Sequence, residues 1–509
     1  MRCRHTNFAC CVAAYLLLSA FVGCSPPVEK PPANNTVSST EIGDESNKSD
    51  GDAGMVPDDS DSTANLEEPK IKLVGPQVVA SVEEPSAEVD EPQLVEEPEV
   101  HPTETPDVEV AVVEPATVPD EPVSSLKVNL PSSELTAGIP GTGPLTADQV
   151  RGWLGQPENH LTIDIVLPLG LDEGIGQLFI PPDNPLTKAK IELGRQLYFD
   201  TRMSGDGSIS CASCHHPDHG YTKPDQFGVG IDDQTGNRNS PVSYNRILSQ
   251  AQFWDGRAAT LEEQAKGPIA NAIEHGTTHE QAVADIEDVE AYRLQFQRVF
   301  GPNSVNIDNI AKAIASFERV IVTGPSPNDY YKELLPFLEF DEDDLAELRE
   351  DSPEVYAKYE AAKSAAEQYA MSEPAIRGRA LFFGDKAGCT ACHVGANFTD
   401  EKFHNLGVGM DQDQPDPGRF KESRDEKETG AFKTPTLRNV TLTGPYMHDG
   451  SQKTLKEVVE WYVKGGHANP HLSEKIKKLE LSDQDKQDLV EYMKALTGEF
   501  PSVETGRLP

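Results

Sequence analysis

The pentapeptide Cys211-Ala-Ser-Cys214-His215 recurs in the second half of the 509-residue chain as Cys389-Thr-Ala-Cys392-His393. Each copy follows a largely apolar stretch that begins with Gly-Arg, at 194–199 and at 378–383. Both stretches have the pattern expected at the end of an amphipathic helix that leads into a loop. The two halves of the chain therefore share a helix, a loop and a cysteine motif in the same order.

A second pair of matching segments lies downstream of the two pentapeptides. Trp254-Asp-Gly precedes Thr260 in the first half, and His448-Asp-Gly precedes Thr454 in the second. Each threonine has a glutamate three residues later, which is the pattern of a capping box at the start of a helix. The sequence therefore predicts two related modules, at about 145–330 and 370–509.

The spacing of apolar residues favours a mainly α fold. Helical periodicity dominates both modules, and β-like alternation is scarce. Residues 331–369 are rich in Glu, Ala and Lys. They are predicted to form a helical connection between the modules, for which a solvated surface hairpin is the favoured description.

Both pentapeptides have the form C-x-x-C-H, the attachment signature of c-type haem. Two cysteines on one turn can each form a thioether with a vinyl group, and the histidine that follows is then placed as an iron ligand. A four-cysteine zinc site also uses paired C-x-x-C, but it needs no histidine after both pairs. The sequence therefore predicts two covalently bound haems in two cytochrome c-like domains. The residues that attach and ligate them are Cys211, Cys214, His215, Cys389, Cys392 and His393.

The N-terminus is typical of an export signal. Arg2 and Arg4 precede an apolar run over residues 8–22, and Phe-Val-Gly-Cys24 resembles the cleavage box of a bacterial lipoprotein. We predict a lipoprotein-type signal over residues 1–24, a lipid on Cys24, and a location in the periplasm or outer cell envelope. Ordinary secretion is the alternative. A transmembrane anchor is disfavoured, because the apolar run is too short to span a bilayer.

Residues 25–140 differ in composition from the rest of the chain. They contain 26 acidic residues, 5 basic residues, 17 prolines and no aromatic residue. So little apolar bulk cannot offset the entropy of ordering, and we predict a disordered, extended linker. Residues 141–509 carry 59 acidic and 37 basic residues, which argues against nucleic acid as a partner. Membrane contact is expected only through the lipid on Cys24.

Over residues 180–500 the sequence resembles the bacterial di-haem cytochrome c peroxidases and their relative, the methylamine utilisation protein MauG. In the first module the resemblance rests on the stretch at 193–215, RNSP at 238–241, and FWDGRA at 253–258 with LEEQA at 261–265. In the second module it rests on FKTPTLRN at 432–439 and PYMHDG at 445–450. The resemblance implies that hydrogen peroxide reacts at the first haem while the second haem relays electrons.

The repeat and the resemblance together distinguish the two haems. Counted from the shared helix start, Pro268 falls where Tyr462 falls in the second module. Proline offers no ligand atom, whereas a tyrosine phenolate can bind ferric iron. The family places its distal ligand, Met or Tyr, at the position of Tyr462. Many family peroxidases also close the first haem with a histidine, and Ile231 stands at that place here. We expect an open first haem and a second haem bound by His393 and Tyr462.

Other interpretations of the second haem remain open. Met447 and His448 are close enough in sequence to act as ligands, but they match Phe253 and Trp254, so we expect them to pack near the haem. A buried tyrosine is, by itself, more often a core residue than a ligand.

The resemblance also implies roles in the first pocket. Glu274 and Gln264 match the family's distal pair, the glutamate as acid–base group for peroxide cleavage and the glutamine as a hydrogen-bond partner of the peroxide. Trp254 matches an aromatic residue that relays electrons between the haems. His275 departs from the methionine often found after this glutamate, and it could tune the carboxylate or compete as a ligand. Taken alone, Glu274 is an ordinary helix-end charge and Trp254 an ordinary core residue.

Calcium is implied by the resemblance alone. Asn239, Thr443 and Pro445 match the calcium site between the family's domains, where the latter two bind through backbone carbonyls. Oxygen ligands suit this cation, but no acidic ligand loop stands out in the sequence.

Three functions compete at this point. The leading one is a peroxidase that takes electrons from a small cytochrome c or a copper protein. The second is a MauG-like oxidation of residues on a protein substrate, which an anionic tyrosine ligand would favour by stabilising oxidised iron. The third is a non-catalytic di-haem electron carrier, and an open pocket lined by Gln264 and Glu274 argues against it.

Overall fold

The computed structural model describes residues 125–509, so the predicted signal, Cys24 and most of the predicted linker lie outside the described residues. The fold is mainly helical, as predicted. Its helices are α1 (Ala147–Leu154), α2 (Lys188–Phe199), α3 (Leu261–Ala270), α4 (His279–Glu287), α5 (Glu290–Phe300), α6 (Ile307–Val320), α7 (Pro327–Leu334), α8 (Glu342–Asp351), α9 (Pro353–Gln368), α10 (Glu373–Phe383), α11 (Phe420–Ser423), α12 (Leu455–Lys464) and α13 (Asp483–Lys494). The short strands β1 (Leu126–Asn129) and β2 (Ile163–Val166) form one sheet, and β3 (Phe403–His404) and β4 (Phe432–Lys433) form another.

Ordered structure begins before residue 140, the predicted end of the linker. Strand β1 pairs in parallel with β2, with Leu126 opposite Ile163. Val128 and Leu130 are buried. The linker prediction was wrong for residues 125–140, because it averaged composition over a long segment. A four-residue strand needs only a few alternating apolar side chains and a partner strand, and that partner lies much later in the sequence.

The first module is built on two helices that meet at a glycine. Helix α2 packs against α6, and Gly194 of α2 lies directly against the carbonyl oxygen of Ala313. A Cβ atom at residue 194 would overlap that oxygen. The contact buries Leu193, Leu197 and Phe317 completely.

The second module repeats this arrangement. Helix α10 packs against α13, and Gly378 lies against the carbonyl oxygen of Asp488. Tyr492 flanks this glycine as Phe317 flanks its counterpart, and its ring centroid lies 5.1 Å from that of Phe382. Because both modules use the same glycine-mediated approach of the same two helices, the repeat in the sequence is also a repeat in three dimensions.

Loop conformations confirm the same relationship. Asn245 and Asn439 both adopt the left-handed region, with φ of 54° and 56°. Phe253 and Met447 do the same, with φ of 66° and 72°. Left-handed backbone is uncommon for residues other than glycine, so its recurrence at matched positions indicates a conserved loop path within the chain.

The segment 331–369 is a helical hairpin on the surface. Helix α9 packs against α7 and α8 and buries little beyond Ala362. Tyr330 and Tyr369 stack with ring centroids 4.3 Å apart, which fastens the end of the hairpin to its beginning. Within residues 125–509, no helix is both long enough and apolar enough to cross a membrane.

The end of the chain packs against the first module, although residues 370–509 were all predicted to belong to the second. The guanidinium of Arg195 donates hydrogen bonds to the carbonyl oxygens of Glu504 (2.6 Å) and Arg507 (3.0 Å). The ring of Phe500 lies between those of Tyr221 and Tyr244, at centroid distances of 5.1 and 5.2 Å. This crossover ties the two modules together, and it depends on contacts distant in sequence that periodicity does not reveal.

Candidate functional site

One continuous cavity reaches both pentapeptides. It is lined by the four cysteines and two histidines of the motifs: Cys211, Cys214, His215, Cys389, Cys392 and His393. All four cysteines are free thiols. Because the thiols and the imidazoles face the same cavity, each motif presents the groups that covalent haem attachment requires.

The two pentapeptides fold alike. Cys211–Ser213 and Cys389–Ala391 each form a turn of 3-10 helix. The backbone N–H of His215 donates to the carbonyl oxygen of Cys211, and that of His393 donates to Cys389, both at 3.0 Å. The turn places both thiols and the histidine of each motif on the cavity side.

The histidine rings suit iron ligation. Nδ1 of His393 donates to the carbonyl oxygen of Phe398 at 3.0 Å, so Nε2 is the nitrogen that keeps a free lone pair. Within the described residues, Nδ1 of His215 is buried without a hydrogen-bond partner. Burial lowers the pKa of His215 to about 4 and lowers that of His393 as well. Both imidazoles are therefore neutral, the form that binds a metal.

The cysteines do not form a zinc site. Among residues 125–509, the close cluster of potential metal ligands combines Cys392 with Asp400 and His404, not with the other cysteines. Asp400 already accepts a hydrogen bond from Nε2 of His404 at 2.8 Å. Burial raises the pKa of all four thiols. The donor set fits two haems.

Tyr462 lines the cavity near the second pentapeptide. It stands on α12, close to the sulfur atoms of Cys389 and Cys392. Burial, and to a smaller extent these two thiols, raise the pKa of its hydroxyl. No hydrogen-bond partner for this hydroxyl exists within residues 125–509. An unpaired phenol that faces the haem cavity has the chemistry of an iron ligand.

The corresponding positions of the first module carry no ligand group. Pro268 lines the cavity from α3. The backbone N–H of Ile231 donates to the carbonyl oxygen of Glu274 at 3.0 Å, and its side chain packs over Gly276. Ile231, the residue predicted from the resemblance to stand where many relatives carry a distal histidine, thus has an aliphatic side chain that contacts backbone.

Gln264 and Glu274 line the same cavity as Pro268. Oε1 of Glu274 accepts a hydrogen bond from Nδ2 of Asn271 at 2.7 Å. Burial raises the pKa of Glu274, while the charge of Arg257 and the hydrogen bond from Asn271 oppose the rise. A carboxyl group with a raised pKa accepts a proton more readily and can return it.

Arg257 is a residue of this pocket that sequence reasoning missed. It lines the cavity, and its guanidinium carbon lies 3.5 Å from the ring centroid of Phe253. It also pairs with Asp255 at 3.0 Å. Arg257 belongs to the FWDGRA segment that carries the family resemblance, but the sequence of this segment does not show that the arginine faces the cavity.

Trp254 lies where the two modules meet. Its Nε1 donates to the carbonyl oxygen of Asn239 at 2.8 Å, within the first module. Its own carbonyl oxygen accepts a hydrogen bond from the backbone N–H of Lys433, in β4 of the second module, also at 2.8 Å. The indole also lines the cavity.

The sequence left the roles of His275 and His448 undecided, and the structure shows that both side chains are buried. His275 is 3% exposed, and its Nδ1 donates to a backbone carbonyl oxygen at 2.9 Å. It is not among the groups that shift the pKa of Glu274. The ring of His448 stacks on Phe432 at a centroid distance of 3.5 Å, and burial lowers its pKa to about 4. Met447 lines the cavity.

The three residues expected to bind calcium are brought to one cavity: Asn239, Thr443 and Pro445. Nδ2 of Asn239 donates to the carbonyl oxygens of Asp225 and Gln226, at 3.3 and 3.1 Å. The amide is therefore held with its nitrogen toward these carbonyls, and its oxygen remains available as a ligand.

Three charged residues in the cavity wall were also missed: Arg246, Glu318 and Lys433, of which Glu318 and Lys433 are buried and Arg246 is partly buried. Lys433 is paired, because its Nζ lies 3.1 Å from Glu401 and 2.8 Å from Ser249. Burial lowers the pKa of Lys433 to about 7. In a sequence, such residues resemble ordinary solvated charges, and only the packing shows that they are enclosed.

Comparison with known proteins agrees with this site. The family model described as di-haem cytochrome c peroxidase matches residues 188–334, and the cytochrome c model matches residues 375–497. The chain is 34% identical over 330 residues to the methylamine utilization protein MauG of Methylorubrum extorquens, covering 65% of this chain and 84% of that protein. It is 35% identical over 320 residues to the cytochrome c551 peroxidase of Nitrosomonas europaea, covering 62% and 83%.

A solved structure shows the same fold. The crystal structure of a MauG-like protein associated with microbial copper homeostasis superposes with a TM-score of 0.54 at 29% identity, covering 64% of this chain and 94% of that one. Both modules, their motifs and the cavity between them lie within the matched families. The chain therefore belongs to the di-haem cytochrome c peroxidase family, and it is a peroxidase-type oxidoreductase whose cofactor is haem c.

Proposed function

We propose that this protein reduces hydrogen peroxide to water in the pocket of the first module and receives the electrons through the second module. The observation that carries this assignment is the asymmetry of the cavity. Gln264 and Glu274 line the part of it where Pro268 offers no ligand, whereas Tyr462 occupies the equivalent place in the second module. A pocket with an acid–base group and no competing ligand can admit a small substrate.

The protein's own groups have distinct tasks in this proposal. Cys211 and Cys214 in the first module, and Cys389 and Cys392 in the second, would carry the thioether bonds. His215, His393 and Tyr462 would be the iron ligands. When bound, the haem iron supplies the redox chemistry that cleaves the O–O bond of peroxide. The side-chain amide of Gln264 orients the peroxide by hydrogen bonding.

Glu274 moves the proton. Its carboxylate accepts a proton from the inner peroxide oxygen and returns it to the outer one, so that the departing group is water. The raised pKa from burial makes the carboxylate a better proton acceptor, and the charge of Arg257 keeps a deprotonated fraction available. Asn271 holds the carboxyl group in place through its 2.7 Å hydrogen bond.

Trp254 is the proposed relay between the modules. Its hydrogen bond to Asn239 and the backbone contact with Lys433 hold the indole at the junction. The electron donor is proposed to be a small cytochrome c or a copper protein. A non-catalytic electron carrier is disfavoured, because a carrier gains nothing from a ligand-free pocket lined by Gln264 and Glu274.

A second function deserves its own test because of one observation. The hydroxyl of Tyr462 faces the cavity with no partner in the described residues, and a phenolate ligand stabilises oxidised iron. This favours a MauG-like enzyme, which oxidises residues on a protein substrate. The similarity to proteins named MauG supports the MauG-like function, and the similarity to cytochrome c551 peroxidase supports the peroxidase to the same degree.

Addition of hydrogen peroxide to the resting, fully oxidised protein separates the possibilities. A rapid change in the haem spectrum without prior reduction is expected from the ligand-free pocket, and inertness until one haem is reduced would contradict it. A subsequent return to the resting spectrum with reduced cytochrome c or a reduced copper protein supports the peroxidase. If the changed spectrum persists in the presence of these donors and decays only after a protein substrate is added, the MauG-like enzyme is supported.

Calcium binding and export are further parts of the proposal. The free side-chain oxygen of Asn239, with the carbonyls of Thr443 and Pro445, supplies oxygen ligands of the kind calcium prefers. Calorimetric titration of calcium into the chelator-treated protein should show one site that is lost in Asn239→Ala.

The proposed lipid on Cys24, with the linker as spacer, places the enzyme in the periplasm or outer envelope. A mass measurement on the mature N-terminus tests this.

A further inference from the structure

Glu318 is a carboxyl group that the proposed reaction does not use. It stands on α6, is 5% exposed, and lines the cavity. Its Oε2 is completely enclosed and has no hydrogen-bond partner in the described part of the chain. An enclosed carboxylate without a partner is strongly destabilising, so such a group either holds a proton or faces a charge supplied by something else in the cavity.

Arg246 is the cation that faces the same region. Its guanidinium donates to the side-chain oxygen of Gln252 (2.9 Å from Nε) and to the carbonyl oxygen of Ala251 (3.1 Å). Among residues 125–509 no carboxylate lies close enough to form an ion pair with it. The charges of Glu401 and, to a smaller extent, Glu318 act on Arg246 without forming an ion pair with it, and Arg246 in turn lowers the pKa of Glu318.

The other charged and titratable groups around Glu318 already have an ion-pair or hydrogen-bond partner, or are used for haem attachment. Arg319, the next residue of α6, forms a two-point ion pair with Glu262 of α3, at 2.7 and 2.9 Å. The hydroxyl of Tyr198, from α2, bonds to Ser243 and to the carbonyl oxygen of His215, both at 2.8 Å. Cys211 is the remaining neighbour, and its sulfur is consumed by haem attachment. Among residues 125–509, Glu318 is therefore the enclosed carboxyl group at this wall that has an unpartnered oxygen, whereas Lys433, whose pKa is also about 7, is paired with Glu401.

The internal repeat shows that the fold does not require these charges. Gly194 and Phe317 correspond to Gly378 and Tyr492, so Glu318 corresponds to Met493. By the correspondence of Asn245 with Asn439, Arg246 corresponds to Val440. Met493 and Val440 line the cavity beside the second motif, where both positions are apolar. A buried carboxyl group and a partly buried guanidinium, both facing the cavity and both replaced by apolar residues in the second module, indicate a task at the first haem.

We infer that Glu318 is a proton-binding site coupled to the first haem. Its carboxylate takes up one proton from water when that haem gains one electron, and the positive charge of Arg246 helps to set the pH at which this happens. The iron passes from ferric to ferrous at the expense of an external one-electron donor, and the Glu318 carboxylate becomes a carboxylic acid. One electron and one proton enter together, so the net charge of the enclosed wall does not change. The inference holds for either of the two proposed functions, the peroxidase and the MauG-like enzyme.

The sign of the coupling follows from electrostatics. Burial raises the pKa of Glu318 to about 7, against the lowering effects of Arg246 and Arg319. Reduction removes one positive charge from the haem, which disfavours the nearby carboxylate and raises its pKa further. The midpoint potential of the first haem should therefore fall as the pH rises through the neutral range, because the proton is then less available.

Spectroelectrochemical titration of the complete di-haem protein at several pH values tests this inference. In wild type, the potential of one haem should depend on pH near neutrality. Glu318→Gln keeps the size of the side chain and should abolish that dependence, and Glu318→Met, which copies the second module, should do the same. Met493→Leu is the matched control and should change neither haem's dependence. An unchanged pH dependence in Glu318→Gln would overturn the inference, since the titrating group would then be elsewhere, such as a haem propionate.

Infrared difference spectra provide a readout that needs no assignment of the two haems. The reduced-minus-oxidised spectrum of wild type near pH 7 should contain a carboxylic acid C=O band that is absent in Glu318→Gln. Arg246→Gln should move the pH at which this band appears upward, because loss of the positive charge favours the protonated acid. A wild-type spectrum without the band, or a band retained in Glu318→Gln, would contradict the site. Neither result depends on whether peroxide reacts at the first haem.

Discussion

Pro268 of α3 and Tyr462 of α12 occupy equivalent positions in the two modules, each eight residues after the threonine that caps its helix. Both line the cavity that reaches the two C-x-x-C-H motifs. One helix thus presents a ring without a donor atom and the other presents a phenol. In the proposed function, this difference between two repeated modules helps to separate a pocket that admits substrate from one that is closed.

Replacement of Tyr462 by phenylalanine should change the spectrum of one haem only. The variant keeps the ring, which is packed in the wall, and removes the oxygen proposed to bind iron. The resting electron paramagnetic resonance spectrum should lose one low-spin signal, while the other haem is unchanged. Tyr446→Phe is the control, because Tyr446 lines the same cavity and is not proposed as a ligand. Identical spectra for wild type and Tyr462→Phe would remove Tyr462 from the ligand set.

Glu274→Gln should slow the reaction with peroxide by roughly 100-fold or more, the usual contribution of a positioned acid–base group. The amide can still receive the hydrogen bond of Asn271 but cannot take a proton. Stopped-flow absorbance after mixing with peroxide measures the rate, and the resting spectrum verifies that both haems are in place. Glu280→Gln, on the exposed face of α4, controls for the loss of charge. A rate equal to that of wild type would show that another group moves the proton.

Much of this site follows from the sequence because the repeat supplies an internal alignment. When Thr260 is aligned with Thr454, Pro268 aligns with Tyr462. The structure shows the same left-handed backbone at the aligned residues Phe253 and Met447. Local signals of this kind depend on short-range rules, namely caps, turns and helical spacing. They carry over to three dimensions wherever the two modules fold alike.

The unpredicted features depend on partners distant in sequence. Strand β1 forms because Ile163–Val166 lies beside it, and the chain end crosses to Arg195 of the first module. Glu318 looks like a surface charge on an amphipathic helix, but α6 is enclosed between α2 and the haem cavity. Burial of a charged residue is a property of the assembled fold, and composition and periodicity do not report it.

Arg257→Gln should shift the pH dependence of the peroxide reaction. Glu274 must be deprotonated to accept a proton, so the rate falls as the pH drops through its pKa. Arg257 lowers that pKa, and its removal therefore raises the pKa and moves the loss of rate to higher pH. Arg257→Lys should restore most of the wild-type profile, whereas Arg298→Gln, an exposed arginine on α5, should leave it unchanged. A lower rate at every pH without a shift would indicate a purely structural role.

Gly194→Ala should destabilise the first module by about 1–3 kcal/mol, the usual cost of inserting a methylene into a closely packed contact. The added Cβ would overlap the carbonyl oxygen of Ala313, so α2 and α6 would have to separate. Gly152→Ala is the matched control: it lies within α1, and no atom comes within 4 Å of its Cβ position. That variant should gain up to about 1 kcal/mol, because alanine suits a helix interior better than glycine. Denaturant unfolding of the di-haem protein measures both, and equal stability of Gly194→Ala and wild type would show that the two helices do not depend on this contact.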